Sequence, residues 1–235
     1  MVAFDGDDTL WHNESIFSVT QERFRELLGP YVDGSDVDSR LFATETRNLA
    51  IFGYGVKSFT LSMIETAIEL SDGRITAAEV QAILDAGKAM LDHPVELLFG
   101  VADAVEEVSA THPVMLITKG DLFDQESKLA RSGLGERFAA IEVLSEKDPA
   151  AYRRILARQG IEPEHFVMVG NSMRSDIAPV LELGAWAVHV PYYVTWAHEA
   201  VHDEAELRDH DRCRHLDSLD GLAALVASID TRSSP

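Results

Sequence analysis

The chain opens with MVAFDGDDTLW, residues 1–11, in which four mostly apolar residues run into Asp5, Asp7 and Asp8, with Gly6 between the first two. Val2 to Phe4 reads as a buried strand. Three carboxylates crowded at the end of such a strand repel one another and lose hydration, so a cation or a positive side chain must sit among them. Residues i and i+2 of an extended chain project to the same side, which lets Asp5 and Asp7 face one cavity while Asp8 points elsewhere. Gly6 lets the backbone come close to a ligand. Two convergent carboxylates suit one hard cation such as Mg²⁺, which takes oxygen ligands.

Further strand-like runs follow at Val114 to Ile117, around Ile141 to Leu144, at Phe166 to Val169 and at Ala187 to Val190. Helical periodicity follows most of them, in LFDQESKLARSGL, DPAAYRRILARQG and SDIAPVLELGA. Alternating strands and helices over residues 98–230 predict an α/β fold, a mostly parallel, Rossmann-like sheet with helices on both faces. In such sheets a ligand sits at the carboxyl ends of the strands, where the polar turns fall.

Residues 13–93 differ. Apolar positions recur at spacings of three and four around Phe24, Leu41, Phe59 and Ile83, and breaks fall at Gly29-Pro30, Asp33-Gly34-Ser35, Gly53-Tyr54-Gly55 and Asp72-Gly73. This pattern predicts about four helices and no strand, with a capping box formed by Thr76 and Glu79. The last residues, TRSSP, read as a frayed tail.

Composition limits the function. Asp and Glu total 40 against 20 Lys and Arg, a formal net charge of −20, which argues against nucleic-acid and anionic-membrane partners. One cysteine, Cys213, allows no intrachain disulfide and makes a reducing cytoplasm the expected compartment. No stretch has the length of a membrane span, and the first residues lack the pattern of a signal peptide.

The remaining strand ends supply parts that match the first. Thr118-Lys119-Gly120 places a hydroxyl and a glycine turn before a helix, a setting that favours an anion. Lys147 stands just beyond the third strand-like run, and Asn171 and Asp176, in VGNSMRSDI, follow the fourth. FDGDDTL, LITKG, Lys147 and VGNSMRSDIAPVLELG, in that order, resemble the four motifs of the haloacid dehalogenase (HAD) superfamily of hydrolases.

That resemblance implies a core domain of residues 1–12 and 94–235 with an α-helical cap domain of residues 13–93. It implies Asp5 as a nucleophile that forms an aspartyl-phosphate, and Asp7 as general acid and then base. Thr118 would bind the phosphoryl group, assisted by backbone N–H groups near Gly6 and Lys119, with Gly120 completing the turn. Lys147 would neutralise charge. Mg²⁺ would be held by Asp5, Asp7 and the fourth motif, Asn171 and Asp176. Trp11, His12 and Asn13, where the chain leaves the first motif, are expected to line the substrate pocket. One departure stands out: the fourth motif usually begins Gly-Asp, and here it is Gly170-Asn171, which implies a weaker metal site.

The expected activity is therefore a Mg²⁺-dependent phosphatase acting on a small phosphorylated metabolite, as a monomer or homodimer. Two rivals belong to the same family: a 2-haloacid dehalogenase, against which Asp7 argues, and a phosphonatase using Lys57 or Lys88. A third is a retired enzyme fold that only binds. Arg47, Tyr54 and Lys57 around the GYG break read as ordinary neighbours of a tight turn. His198 and His202, spaced i and i+4, read as exposed rather than as zinc ligands, and His210, Cys213 and His215 as part of a solvated face.

Overall fold

The computed structural model describes residues 1–32, 34–194 and 204–230. Asp33 of one expected break, the His198/His202 pair and the TRSSP tail lie outside the described residues. The chain divides into two compact units: Met1–Glu14, Val95–Lys119 and Gln125–Pro235 in one, Ser15–Pro94 and Gly120–Asp124 in the other.

The first unit is a six-stranded, wholly parallel sheet built from β1 (Val2–Phe4), β2 (Val114–Lys119), β3 (Ala140–Leu144), β4 (Val167–Gly170), β5 (Trp186–His189) and β6 (Cys213–His215). Their spatial order is β3-β2-β1-β4-β5-β6, so the chain runs from β1 through β2 to β3 on one side, crosses once, and continues through β4, β5 and β6 on the other, a reversal beside β1 that opens a crevice at the strands' carboxyl ends. The inner strands β1, β2, β4 and β5 are buried on both faces and read as apolar runs, whereas β3 and β6, at the two edges of the sheet, are only partly buried. Val2 and Phe4, Val114 and Leu116, and Val167 and Val169 enter one core, shared with Val105 and Val226 of the helices Val101–Ser109 and Leu222–Asp230. Ala3, Met115, Ile117 and Met168 enter the other, against Tyr152 and Ile155 of the helix Pro149–Gln159. That alternation follows from the two-residue period of a strand. β6 is the strand that periodicity does not reveal, since Cys213-Arg214-His215 carries no apolar run.

The second unit holds α1 (Glu14–Leu28, apart from its first residue), α2 (Gly34–Phe52), α3 (Val56–Leu70) and α4 (Ala77–Asp92). Phe24, Leu28, Leu41, Phe59, Met63 and Ile83 form its core. The capping box at α4 is formed: Thr76 Oγ1 accepts from the Glu79 N–H at 3.3 Å, and Glu79 Oε2 accepts from the Thr76 N–H at 2.7 Å. Among the described residues no helix is long and apolar enough to cross a membrane.

Candidate active site

β1 ends at Phe4, and the next residues form a tight turn: the Gly6 carbonyl accepts from the N–H groups of Thr9, Leu10 and Trp11. Gly6 is required by space. A Cβ there would stand 2.8 Å from the Trp11 ring and 3.5 Å from Thr118 Oγ1. Asp8, in the left-handed region at φ 63°, is the acid that leaves the cavity, and asparagine and aspartate tolerate that conformation better than most residues. Its carboxylate accepts from the N–H groups of Asn13 at 2.8 Å and Glu14 at 3.0 Å, so it secures the exit of the loop. Burial pushes its pKa up to about 7, opposed by those hydrogen bonds.

Asp5 is buried, and Lys147, itself only 3% exposed, reaches it: Lys147 Nζ lies 2.5 Å from Asp5 Oδ1 and 2.6 Å from Asp176 Oδ1. One ammonium thus bridges a β1 acid and an acid that follows β4. Burial pulls the Lys147 pKa down, but Asp176 and Asp5 outweigh it, and the net direction is upward, so the ammonium stays charged. Burial raises Asp5 to about 7; Lys147 opposes that rise, while Asp176 and Asp7 add to it. A perturbed acid next to a fixed cation at a strand end makes this cluster the candidate site.

Asp176 is delivered by an unusual turn. Met173–Ile177 is a π turn, in which the Ile177 N–H reaches back five residues to the Ser172 carbonyl at 3.2 Å. The carboxylate packs so closely on Gly170 that a Cβ there would overlap it, and its Oδ2 accepts from the Ser172 N–H at 3.0 Å.

Asn171 faces the other side of Asp5. Thr9 Oγ1 accepts from the Asn171 N–H at 3.0 Å and lies 3.2 Å from both Asp5 Oδ2 and Asn171 Oδ1. A hydroxyl has one proton, so two acceptor oxygens converge on a donor that serves only one of them. Among the described residues, no group of three or more His, Cys, Asp or Glu side chains is arranged to hold a metal. The side-chain oxygens that converge at Thr9 are one carboxylate, of Asp5, and one neutral amide, of Asn171.

Asp7 is held separately from Asp5. Its Oδ1 accepts from Trp11 Nε1 at 2.7 Å and Lys128 Nζ at 2.9 Å, and its Oδ2 from Gln125 Nε2 at 2.9 Å. Thr118 ends β2, buried, with Oγ1 donating to Gln125 Oε1 at 3.2 Å. Lys119 Nζ donates to Ser175 Oγ at 2.8 Å. Of the three expected pocket residues, Trp11 is buried beneath the turn, Asn13 Oδ1 accepts from Lys128 at 2.9 Å, and His12 Nδ1 lies 2.7 Å from the Tyr192 hydroxyl. Gly120 belongs to the second unit and adopts φ 134°.

In that second unit Lys57 pairs with Asp121 at 2.8 Å, Arg47 with Glu65 at 3.2 Å and Lys88 with Asp85 at 3.1 Å. At the edge strand β6, His210 Nδ1 accepts from the Arg212 N–H, and Cys213 is buried against the sheet core rather than on the solvated face expected of it.

Three residues that contact the candidate site residues are not singled out by the sequence motifs. Gln125 and Lys128 lie inside a helix with no motif around them. His189 hides in an apolar strand run, although a histidine within AVHV is itself a signal. It is buried, its pKa is lowered by burial, and its Nε2 lies 3.0 Å from the Asn171 carbonyl.

With Asp5, Thr118, Lys147 and Asp176 gathered at the ends of four parallel strands, the comparisons are decisive. The family model of haloacid dehalogenase-like hydrolases matches residues 1–184. The chain belongs to that family. A HAD-like family hydrolase from Xanthomonas campestris superposes with a TM-score of 0.88 at 45% identity, over 98% of this chain and 91% of that one. The magnesium-bound HAD-hydrolase YfnB of Bacillus subtilis gives 0.67 at 14% identity, over 96% and 97%. A 2-haloacid dehalogenase from Pseudomonas syringae pv. tomato gives 0.63 at 20%, over 99% and 98%. The last two share the HAD-like fold at identities that speak to architecture alone. No match was found among curated proteins.

Proposed function

We propose that this HAD-like hydrolase is a phosphatase: a Mg²⁺-dependent phosphomonoester hydrolase acting through an aspartyl-phosphate on Asp5. The observation that carries the reading is Asp7, a second carboxylate two residues beyond the nucleophile and fixed by three N–H donors. A dehalogenase needs no proton donor for a halide leaving group, whereas a phosphate ester needs one for its alkoxide.

Asp5 attacks phosphorus in line with the leaving oxygen, and Asp7 gives that oxygen its proton. Asp7 then takes a proton from the water that attacks the aspartyl-phosphate, releasing phosphate and restoring the Asp5 carboxylate. Lys147 neutralises charge beside Asp5 throughout. Thr118 and the backbone N–H groups near Gly6 and Lys119 bind the phosphoryl oxygens.

The oxygens converging near Thr9 fit a hard cation: Asp5 and Asn171, with the Asp7 backbone carbonyl, would hold Mg²⁺, which when bound supplies further neutralisation of phosphoryl charge. Asp176, the other acid expected to hold the cation, has Oδ1 on the Lys147 ammonium and Oδ2 on the Ser172 N–H. With one carboxylate and one amide the cation is held weakly, and half-saturation of activity above the low micromolar range is expected. The helical unit acts as a cap, and the substrate is a small phosphorylated metabolite met in a reducing cytoplasm.

The test is a panel of phosphorylated metabolites and para-nitrophenyl phosphate assayed with Mg²⁺. Phosphate release that Asp5→Asn abolishes supports the reading. Chloride release from 2-chloropropionate without Mg²⁺, or equal inertness of both proteins towards every ester, overturns it.

A further inference from the structure

Asp7 must hand over and take back a proton at one place, so something must fix its carboxylate. It is 24% exposed, enough to meet a substrate and enough, left alone, to rotate. Three groups hold it. Trp11 comes from the same turn; Gln125 and Lys128, three residues apart and hence on one face of the helix Leu122–Ser132, come from elsewhere in the chain.

Gln125 is only 2% exposed, and its two ends are not interchangeable. A carboxylate accepts only, so the amide nitrogen must face Asp7 and the amide oxygen must face Thr118. The Thr118 hydroxyl has Gln125 Oε1 as its nearer acceptor at 3.2 Å, with the Lys119 carbonyl at 3.4 Å. To donate to an arriving phosphoryl oxygen, the hydroxyl must turn its proton away from Gln125. Phosphate binding and the placement of Asp7 are thus joined through one buried amide. Lys128 completes the clamp by tying Asp7 to Asn13, both at 2.9 Å.

We infer that Gln125 and Lys128 are positioning residues for Asp7: they hold its carboxylate for proton transfer to the leaving oxygen, and Gln125 links that carboxylate to the phosphate-binding hydroxyl of Thr118. The inference rests on the phosphatase reading for its chemistry and on hydrogen-bond geometry for the clamp.

The experiment compares Gln125→Leu and Lys128→Met with the parent protein on para-nitrophenyl phosphate, whose leaving group departs without a proton, and on glycerol phosphate, whose alkoxide needs one. The indole N–H resonance of Trp11 is followed in ¹⁵N-labelled protein as a readout independent of turnover. The expected result is a fall in kcat/KM, which reports departure of the leaving group and not the hydrolysis step shared by both esters, about tenfold or more greater for the alkyl ester than for the aryl ester. KM should stay close to the parent value for Lys128→Met and rise for Gln125→Leu, and the Trp11 resonance should shift in both variants. Equal losses on both esters with an unmoved Trp11 resonance overturn the inference. If Gln125→Leu fails to fold, Lys128→Met decides by the same two readouts. A parent protein inert towards both esters defeats the phosphatase reading, and the Trp11 resonance then still decides whether Gln125 and Lys128 hold Asp7.

Discussion

The helical segment Ser15–Pro94 and the α/β unit differ in the charge of the polar side chains they bury. Within Ser15–Pro94 the fully buried polar residues are neutral: Thr20, Thr44, Asn48, Ser58, Thr60, Ser62, Thr66 and Ser71. Several are satisfied by their own helix, as Thr60 is by the Val56 carbonyl at 2.8 Å and Thr20 by the Ile16 carbonyl at 3.0 Å. Such residues pack helices closely and need no distant partner. The α/β unit instead buries Asp5, Lys147 and Asp176 together, and Asp8 in the turn beside them. Buried charges arranged this way add little to stability over apolar residues of the same volume, so their presence points to chemistry.

Replacing a charge in the α/β unit should therefore cost activity first, and altering the helical unit should cost stability first. The largest effect is expected for Lys147→Met, which leaves Asp5 and Asp176 facing each other with no cation. A loss of about a thousandfold in kcat is expected, with about 3 kcal/mol of stability; a variant retaining activity within about tenfold would break the comparison.

Gly87→Ala comes next. A Cβ at Gly87 would overlap the Thr60 side chain across the α3–α4 contact. Denaturant unfolding should show a loss of about 1–3 kcal/mol from overpacking, outweighing the roughly 1 kcal/mol that alanine gains in helix propensity. A more stable variant would show that the contact yields.

Within Ser15–Pro94, Glu45 is a partly buried carboxyl, and burial raises its pKa to about 7 from an ordinary value of 4.5. Between those values the folded state holds more protons than the unfolded one, so this group's contribution to stability is full below pH 4.5 and is lost as pH rises through 7. Glu45→Gln should remove about 1–2 kcal/mol of the difference in unfolding free energy between pH 5 and pH 8, allowing for partial exposure. An unchanged slope would mean that Glu45 is solvated.

The smallest effect sharpens the rule. Thr66 Oγ1 is buried with no hydrogen-bond partner in the structure. Thr66→Val keeps the shape and removes the orphan hydroxyl, so the denaturation midpoint should rise by an amount equivalent to about 1 kcal/mol. A fall would place a partner at that hydroxyl.

The sequence made most of the sheet legible because parallel strands buried on both faces are short apolar runs, as in Val114 to Ile117, and it missed β6 because an edge strand needs no such run. The acid cluster was legible for a similar reason: three adjacent carboxylates demand a counter-charge, and Lys147 supplies it. What it concealed were groups that act through geometry alone. Gln125 and Lys128 look like any polar positions on a helix until the fold carries them to Asp7, and His189 looks like strand filling until its ring meets the Asn171 carbonyl.

The π turn at Met173–Ile177 makes the length of this short segment as consequential as its composition. Successive residues of a helix are rotated by about 100°. Losing one residue from the widened turn would swing the Asp176 carboxylate away from the Lys147 ammonium while leaving every functional side chain in the polypeptide. A library of single-residue deletions should thus find inactivity here even where each substitution is tolerated, because the extra residue sets the angle at which β4 presents its acid.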